Sequence, residues 1–160
     1  MHYDSASIHL PVTNDVSVRI VMVLALMAGW KGKKSDVKGA FLKGSLDPGQ
    51  ERMFMYVLKG FEEFYDEDEV LELLKAIHGT KKAAMAFWKE LLLACMKDMK
   101  NKRNGADPCL YFKWTKEGLV VWLSWIDDCM VWGPKEEVEQ ENAEFQKRFD
   151  CDDVGEVCWR

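Results

Sequence analysis

Three short apolar segments, at residues 109–114, 119–125 and 129–132, constrain the fold more than any other feature of this 160-residue sequence. They are rich in aromatic and β-branched residues, which favour strands. The linker at 115–118, Thr-Lys-Glu-Gly, is typical of a hairpin turn. Such short connections join antiparallel neighbours, because parallel strands need a long crossover. We therefore expect three consecutive antiparallel strands.

Two helical patterns precede these strands. Residues 16–27 form a continuous apolar run, which predicts a buried helix with Asn14 or Asp15 as its cap and Gly29 at its end. Between residues 81 and 99, apolar side chains recur at the i, i+3, i+4, i+7 spacing of a helix with one buried face. We expect helices at both places.

The remaining segments complete an α+β pattern. Residues 36–42 and 53–57 are expected to be short and extended, and residues 135–149 predict an amphipathic helix. The inward-facing residues of that last helix are expected to be Val138, Phe145 and Phe149. With 48% hydrophobic residues, the chain can bury one core, so we expect a single α+β domain over residues 1–160.

Composition points to a reducing, intracellular setting. The five cysteines are scattered and never form the close pairs of zinc or redox motifs. The longest apolar run, residues 20–30, is about half of the ~20 residues that a membrane-spanning helix needs. The net charge of −5 argues mildly against a generic nucleic-acid-binding protein. Local basic clusters nevertheless occur at Lys31, Lys33 and Lys34, at Lys81 and Lys82, and at Lys100, Lys102 and Arg103.

Two adjacent carboxylates, Asp127 and Asp128, interrupt the apolar stretch "LSWIDDCMVW". Burying them unpaired would be costly, and they repel each other. One explanation is an exposed two-residue hairpin turn, where aspartate is common. The other is a divalent cation, whose charge would remove the repulsion. Both explanations are compatible with the local pattern.

A two-metal site needs at least one further carboxylate to bridge its ions, and Asp36 is the obvious candidate. It begins the segment "DVKGAFLKG", in which the small residues Gly39 and Ala40 would let a phosphate chain approach the backbone amides.

Five segments of the chain carry a family resemblance: "SDVKGAFLKGSL", "LKAIHGTKKAAMAFWKEL", "ADPCLYF", "WIDDCMVWG" and "FDCDDVGEV". In order and spacing they resemble the reverse transcriptase of copia-type LTR retrotransposons. The segment "LPVTNDVSVRIVMVLALMAGW" resembles the stretch that precedes the first catalytic aspartate in that family. The resemblance covers almost the whole chain.

The resemblance implies a polymerase palm-like antiparallel sheet packed against helices, with part of the fingers. It implies that Asp36, Asp127 and Asp128 are the catalytic residues and hold two Mg²⁺ ions, with Mn²⁺ as a possible substitute. The implied partners are an RNA or DNA template–primer and deoxynucleoside triphosphates. The remaining polyprotein domains, integrase and RNase H, would be further partners, and no membrane is involved.

The resemblance also implies substrate contacts. Phe41 matches the aromatic residue that lies beneath the incoming sugar and excludes a 2′-hydroxyl, although an ordinary core phenylalanine is the simpler interpretation. Its neighbours Val37, Gly39 and Ala40 are expected beside the nucleotide. Gly79 and Lys81 keep the family pattern of a segment that lies against nucleotide and template. Departures nearby, at His78, Thr80, Lys82, Ala84 and Met85, put the detailed template contacts in question. Trp125, Ile126 and Asp152 also differ from the family pattern.

Two other functions compete with a polymerase. From the family pattern we expect the basic fingers strand, the thumb and the RNase H domain to fall outside residues 1–160, and we therefore expect weak activity of the chain alone. A non-catalytic remnant that binds nucleic acid or a protein is therefore an alternative. A metal-dependent phosphohydrolase is less favoured, because His2, His9 and His78 are isolated from one another.

Overall fold

A computed structural model describes residues 11–44, 52–66, 68–75, 77, 80 and 83–157. The α-helices in these residues are α1 (Asp15–Ala28), α2 (Ala40–Lys43), α3 (Ala83–Leu93) and α4 (Lys135–Arg148). The strands are β1 (Lys31–Val37), β2 (Phe54–Tyr56), β3 (Val70–Glu72), β4 (Lys102–Arg103), β5 (Leu110–Trp114), β6 (Leu119–Trp125), β7 (Asp128–Gly133) and β8 (Cys151–Glu156). A 3₁₀ turn occupies Glu62–Phe64, and a π-helical turn, Ala94–Asp98, continues α3.

Six of these strands form one antiparallel sheet with the order β4-β5-β6-β7-β1-β8. The three consecutive strands predicted from the sequence are confirmed as β5, β6 and β7. Strand β1 comes much earlier in the chain but pairs with β7 on one side and with β8 on the other. The sheet therefore places β1, the first strand of the described residues, between their last two strands, β7 and β8.

Helices α3 and α4 contribute to the core on one face of the sheet. Side chains from β5, β6 and β7 meet the helices there, including Tyr111, Trp122 and Val131, all at most 2% exposed. The helices contribute Phe87, Leu91, Val138 and Phe145. The expected helix at 135–149 is confirmed as α4, and its predicted inward residues Val138, Phe145 and Phe149 are all buried.

Helix α1 covers part of the opposite face. Its start is capped by Asn14, whose side-chain oxygen accepts a hydrogen bond from the Val16 N–H at 2.9 Å, and it ends at Gly29 with φ of 63°. These boundaries confirm the prediction. The predicted burial on all sides is wrong, because only Val21 and Ala25 of this helix are buried. The apolar composition of a helix does not show which of its faces will pack against the rest of the fold.

The segment after α1 also differs from expectation. Residues 36–42 do not form one extended segment: β1 ends at Val37, and α2 begins at Ala40. Gly39, with φ of 58°, makes the change of direction, which is a conformation that glycine adopts without steric cost. The strand predicted at 53–57 is confirmed as β2, which pairs with β3.

The α+β mixture expected from the sequence is thus present. Within the described ranges, no helix is both long enough and apolar enough to span a membrane.

Candidate functional site

Asp36 and Asp128 lie directly opposite each other in the neighbouring strands β1 and β7. Directly opposed residues of an antiparallel pair point to the same face, with their Cβ atoms about 4.5–5.5 Å apart. Both aspartates are partly exposed. The fold thus brings together two acids that are far apart in sequence.

The residues on either side of Asp36 decide which face it occupies. Val37 is buried in the core between the sheet and its helices, and the buried Ser35 donates a hydrogen bond to Asn142 of α4 at 2.7 Å. Because side chains alternate along a strand, Asp36 points away from α3 and α4. The carboxylates therefore lie on the face that α1 covers only in part.

Asp127 occupies the tight turn between β6 and β7. Trp125 pairs with Asp128, so the two turn residues are Ile126 and Asp127 rather than the two aspartates. Asp127 is exposed, and its carbonyl oxygen accepts a hydrogen bond from the Val37 N–H at 3.2 Å. This bond fixes the hairpin tip to the end of β1, next to Asp36.

Ile126 has φ of 57°, in the left-handed region that β-branched residues rarely adopt. Such a conformation costs on the order of 1–3 kcal/mol and persists only where the surroundings impose it. It explains why the sequence predicted the turn one residue too late: isoleucine is an improbable turn residue, whereas Asp-Asp is a common one.

A lysine lies beside Asp36 and Asp128. Nζ of Lys34 is 2.8 Å from Oδ2 of Asp128, and about one third of each side chain is exposed. Lys34 precedes Asp36 by two positions in β1 and therefore shares its face of the sheet. In the sequence, Lys34 stands out only as part of the basic cluster with Lys31 and Lys33. In that cluster, Lys31 also has an acidic partner, Glu156, at 3.6 Å.

A second ion pair lies on the other side of Asp36, where β1 meets β8. Asp152 is opposite Asp36 and accepts a hydrogen bond from Nζ of Lys38 at 2.6 Å. This hydrogen bond and the charges of Asp152 and Asp150 raise the pKa of Lys38. The row thus runs Asp128, Asp36, Asp152 across three strands, with Lys34 two residues before Asp36 in β1 and Lys38 two residues after it, just beyond the end of β1. The alternation of Lys34, Asp36 and Lys38 in the sequence could have indicated that lysines flank Asp36, but not which acids they contact.

The donor chemistry of the acids suits a hard cation. Mg²⁺ typically takes one or two carboxylates from the protein and its other ligands from water and substrate phosphates. Asp36 and Asp128 offer such a pair. Among the residues that the structure describes, however, no three His, Cys, Asp or Glu side chains are grouped so that they could hold a metal ion. Convergence of Asp36, Asp127 and Asp128 on shared ions stays a prediction.

The predicted substrate contacts lie close to this row in the chain but differ in exposure. Val37 and Ala40 are 3% and 4% exposed, so their side chains face the core. Gly39 is exposed between β1 and α2. Phe41 is partly buried and packs against Ala83 and Ala86 of α3. The predicted contacts Gly79 and Lys81 lie outside the described residues.

The cysteines near the acids are not activated. Burial raises the pKa of Cys129, and burial together with the charges of Asp150 and Asp36 raises the pKa of Cys151 to about 11. Thiols with such pKa values stay protonated near neutral pH and are poor nucleophiles. The chemistry of this face therefore rests on carboxylates and ammonium groups.

Comparison with known proteins gives one consistent result. Over residues 1–159 the chain matches the family described as "Reverse transcriptase (RNA-dependent DNA polymerase)". It is 30% identical over 154 residues to the retrovirus-related Pol polyprotein from transposon TNT 1-94 of Nicotiana tabacum, covering 95% of this chain and 11% of that protein. It is 29% identical over 130 residues to the Pol polyprotein from transposon RE2 of Arabidopsis thaliana, covering 81% and 9%.

The chain thus spans about a tenth of these relatives. No solved structure matches it significantly.

Proposed function

The chain belongs to the reverse transcriptase (RNA-dependent DNA polymerase) family, of the copia type, and from that premise we propose that it forms the palm of an RNA-directed DNA polymerase. The reaction would be nucleotidyl transfer assisted by two metal ions. One observation carries the proposal: Asp36 stands opposite Asp128, with Asp127 in the adjoining turn. The position of these acids, on the face away from α3 and α4, supports it.

Asp36, Asp127 and Asp128 would hold Mg²⁺, or Mn²⁺ in its place. Bound ions would supply activation of the primer 3′-hydroxyl and charge neutralisation on the triphosphate. The contribution of the protein is positioning, since the β1–β7 pairing fixes Asp36 against Asp128. The hydrogen bond from the Val37 N–H to the Asp127 carbonyl holds the hairpin tip beside them.

The residues after Asp36 would shape the nucleotide site. Phe41 would lie beneath the incoming sugar and exclude a 2′-hydroxyl, with its ring supported by Ala83 and Ala86. Gly39 would let a phosphate approach the backbone closely. Val37 and Ala40 would act indirectly, because their buried side chains anchor the turn between β1 and α2.

Gly79 and Lys81 would contact nucleotide and template, as the family resemblance implies. The substrates would be an RNA or DNA template–primer and deoxynucleoside triphosphates. Since the relatives are Pol polyproteins, the chain would act as one part of a longer protein, beside integrase and RNase H.

A non-catalytic role is the second candidate. It is favoured by one observation, the engagement of Asp128 by Lys34, which occupies a carboxylate oxygen that a metal ion would use. In that case the chain would bind nucleic acid or a protein without extending a primer.

Primer extension on an RNA template, with Mg²⁺ or Mn²⁺, separates the two candidates. The decisive variant is Asp127→Asn/Asp128→Asn. Its matched control is Asp66→Asn/Asp68→Asn, which removes the same charge from two exposed residues outside the six-stranded sheet. Because the chain alone is expected to be weakly active, the assay is run on a longer Pol polyprotein that carries this segment. We expect templated DNA product that disappears in the first variant and persists in the control. Nucleic-acid binding without any aspartate-dependent product would instead establish the non-catalytic role.

A further inference from the structure

Lys34 places its ammonium group where the candidate site would receive a cation. Its Nζ lies 2.8 Å from Oδ2 of Asp128, and Asp128 stands directly opposite Asp36. Two carboxylates in opposed positions repel each other. The ammonium group of Lys34 offsets part of this repulsion through its contact with Asp128.

The strand register explains why Lys34 reaches Asp128. Lys34 is opposite Met130 in β7 and opposite Gly155 in β8, and Asp128 is the diagonal neighbour two residues before Met130. Diagonal neighbours on one sheet face are within reach of long side chains. Gly155 adds no side chain on the β8 side. The aliphatic part of Lys34 can thus lie along the sheet while its charged end turns towards Asp128.

A metal ion should be able to displace Lys34 from Asp128. Both side chains are about one-third exposed, and ion pairs with such access to water are weak and sensitive to geometry. A divalent ion carries twice the charge of an ammonium group and prefers the same carboxylate oxygens. A metal ion and Lys34 would therefore compete for Asp128.

We propose that Lys34 is a positioning residue of the metal site: it holds Asp128 beside Asp36 and competes with the divalent ion for the Asp128 carboxylate, and thereby limits metal affinity. This inference rests on the proposed function, since the ion is the one that the polymerase reaction would use. It assigns to Lys34 a role that family membership alone does not give.

Lys38 provides a matched control. It also lies two residues from Asp36, just after the end of β1, but it is paired with Asp152, the residue opposite Asp36 in β8, rather than with Asp128. Removing either lysine changes the net charge equally. Of these two lysines, Lys34 contacts an acid proposed to bind metal and Lys38 does not. Comparing their variants therefore separates direct competition for Asp128 from the effect that loss of any nearby positive charge has on metal affinity.

The experiment is a titration with Mn²⁺ alone, in which free ion is followed by electron paramagnetic resonance, on the wild-type chain, Lys34→Met and Lys38→Met. We expect Lys34→Met to bind Mn²⁺ at least about threefold more tightly, which is the scale of a partly exposed ion pair. Lys38→Met should change affinity by less. The difference should persist at high salt, because contacts this close are screened less than distant charges.

Two further variants keep the test decisive. Lys34→Arg retains the charge and should bind Mn²⁺ nearly as the wild type does, while Lys34→Gln provides a second neutral variant should Lys34→Met fold poorly. In an Asp128→Asn background, removal of Lys34 should no longer tighten binding.

The outcomes distinguish this inference from the proposed function. Unchanged or weaker Mn²⁺ binding in both neutral variants, or equal effects at Lys34 and Lys38, would overturn the role of Lys34 while leaving a site that Asp36→Asn still abolishes. If Asp36→Asn leaves Mn²⁺ binding intact, the metal site itself is wrong, and the proposed function fails with it.

Discussion

Asp36 stands directly opposite Asp128 across the β1–β7 pair, and both acids are partly exposed. Opposed like charges destabilise a strand pair. An arrangement that costs stability in this way is what we expect if the two acids serve the proposed metal site.

Substitution of Asp36 by asparagine should therefore separate stability from activity. We expect Asp36→Asn to leave the free energy of unfolding unchanged or to raise it by roughly 0.2–1 kcal/mol, because a repulsive pair is lost. Primer extension should fall by at least about 100-fold, as for other groups that stabilise transition-state charge. Urea unfolding and extension rates on the same preparation give both numbers.

Asp152→Asn is the control for that substitution. Asp152 lies opposite Asp36 on the other side and carries the same charge, but its carboxylate is paired with Lys38. The control should retain extension activity. A large loss of stability in Asp36→Asn would show instead that Asp36 serves the fold.

Ile126 offers a test of backbone strain. Its positive φ of 57° suits asparagine far better than a β-branched residue. We expect Ile126→Asn to raise the free energy of unfolding by about 1 kcal/mol. Ile126→Val keeps the branched Cβ and should give no gain, and thermal unfolding of the two variants decides the matter. Equal stability of both would mean that the turn stores no strain.

Local patterns in the sequence were sufficient for much of the fold. The three strands from β5 to β7 and helix α4 follow from alternation and helical periodicity, which are properties of contiguous residues. The pairing of Asp36 with Asp128 was expected only as a spatial convergence, through the acid chemistry and the family resemblance. The exact register, in which Asp36 is directly opposite Asp128, depends on the pairing of β1 with β7 in the assembled sheet.

The roles of Lys34 and Lys38 could not be predicted for the same reason. Each contact joins a lysine in β1 or just after it to a strand more than ninety positions later in the chain, Asp128 in β7 or Asp152 in β8. Which acid each lysine meets is decided by the diagonal neighbours in the assembled sheet. The exposed side of α1 could not be predicted for a related reason. Whether a helix face is buried depends on which other elements pack against it.

Close packing between α2 and α3 gives a third prediction. A Cβ atom added at Gly44 would lie 2.7 Å from both the Cβ of Ala86 and the backbone nitrogen of Phe87. Backbone cannot yield easily, so we expect Gly44→Ala to lower the free energy of unfolding by about 1–3 kcal/mol. Since Phe41 lies in α2, the same change should also disturb the proposed nucleotide site.

Gly105→Ala is the matched control for the packing prediction. A Cβ at Gly105 would meet no atom within 4 Å, and its φ is not in the positive range that disfavours alanine. The control should be neutral or slightly stabilising. Denaturant unfolding curves that show equal effects at Gly44 and Gly105 would contradict the packing argument.

The buried carboxylate of Glu141 should be a strong determinant of stability. It is 4% exposed, accepts a hydrogen bond from the Trp122 indole N–H at 2.9 Å, and forms an ion pair with Lys113. Glu141→Leu would leave the indole and the ammonium without their partner. We expect a loss of roughly 3 kcal/mol or more in the free energy of unfolding, as for other broken buried pairs. Glu139→Gln, at an exposed position of the same helix, should have little effect, and similar melting temperatures for the two variants would refute the argument.

The exposed side of α1 leads to the last prediction. Val16, Ile20, Val23 and Met27 are each at least 54% exposed and follow helical spacing along one side, opposite the buried Val21 and Ala25. Contiguous apolar surface of this kind promotes association. We expect Ile20→Glu/Val23→Lys, which leaves the net charge unchanged, to reduce concentration-dependent association in sedimentation velocity while preserving the melting temperature. Val21→Lys, on the buried side of the same helix, should instead destabilise the chain, because it buries an unpaired charge. If association persists in the double variant, a surface other than α1 drives it.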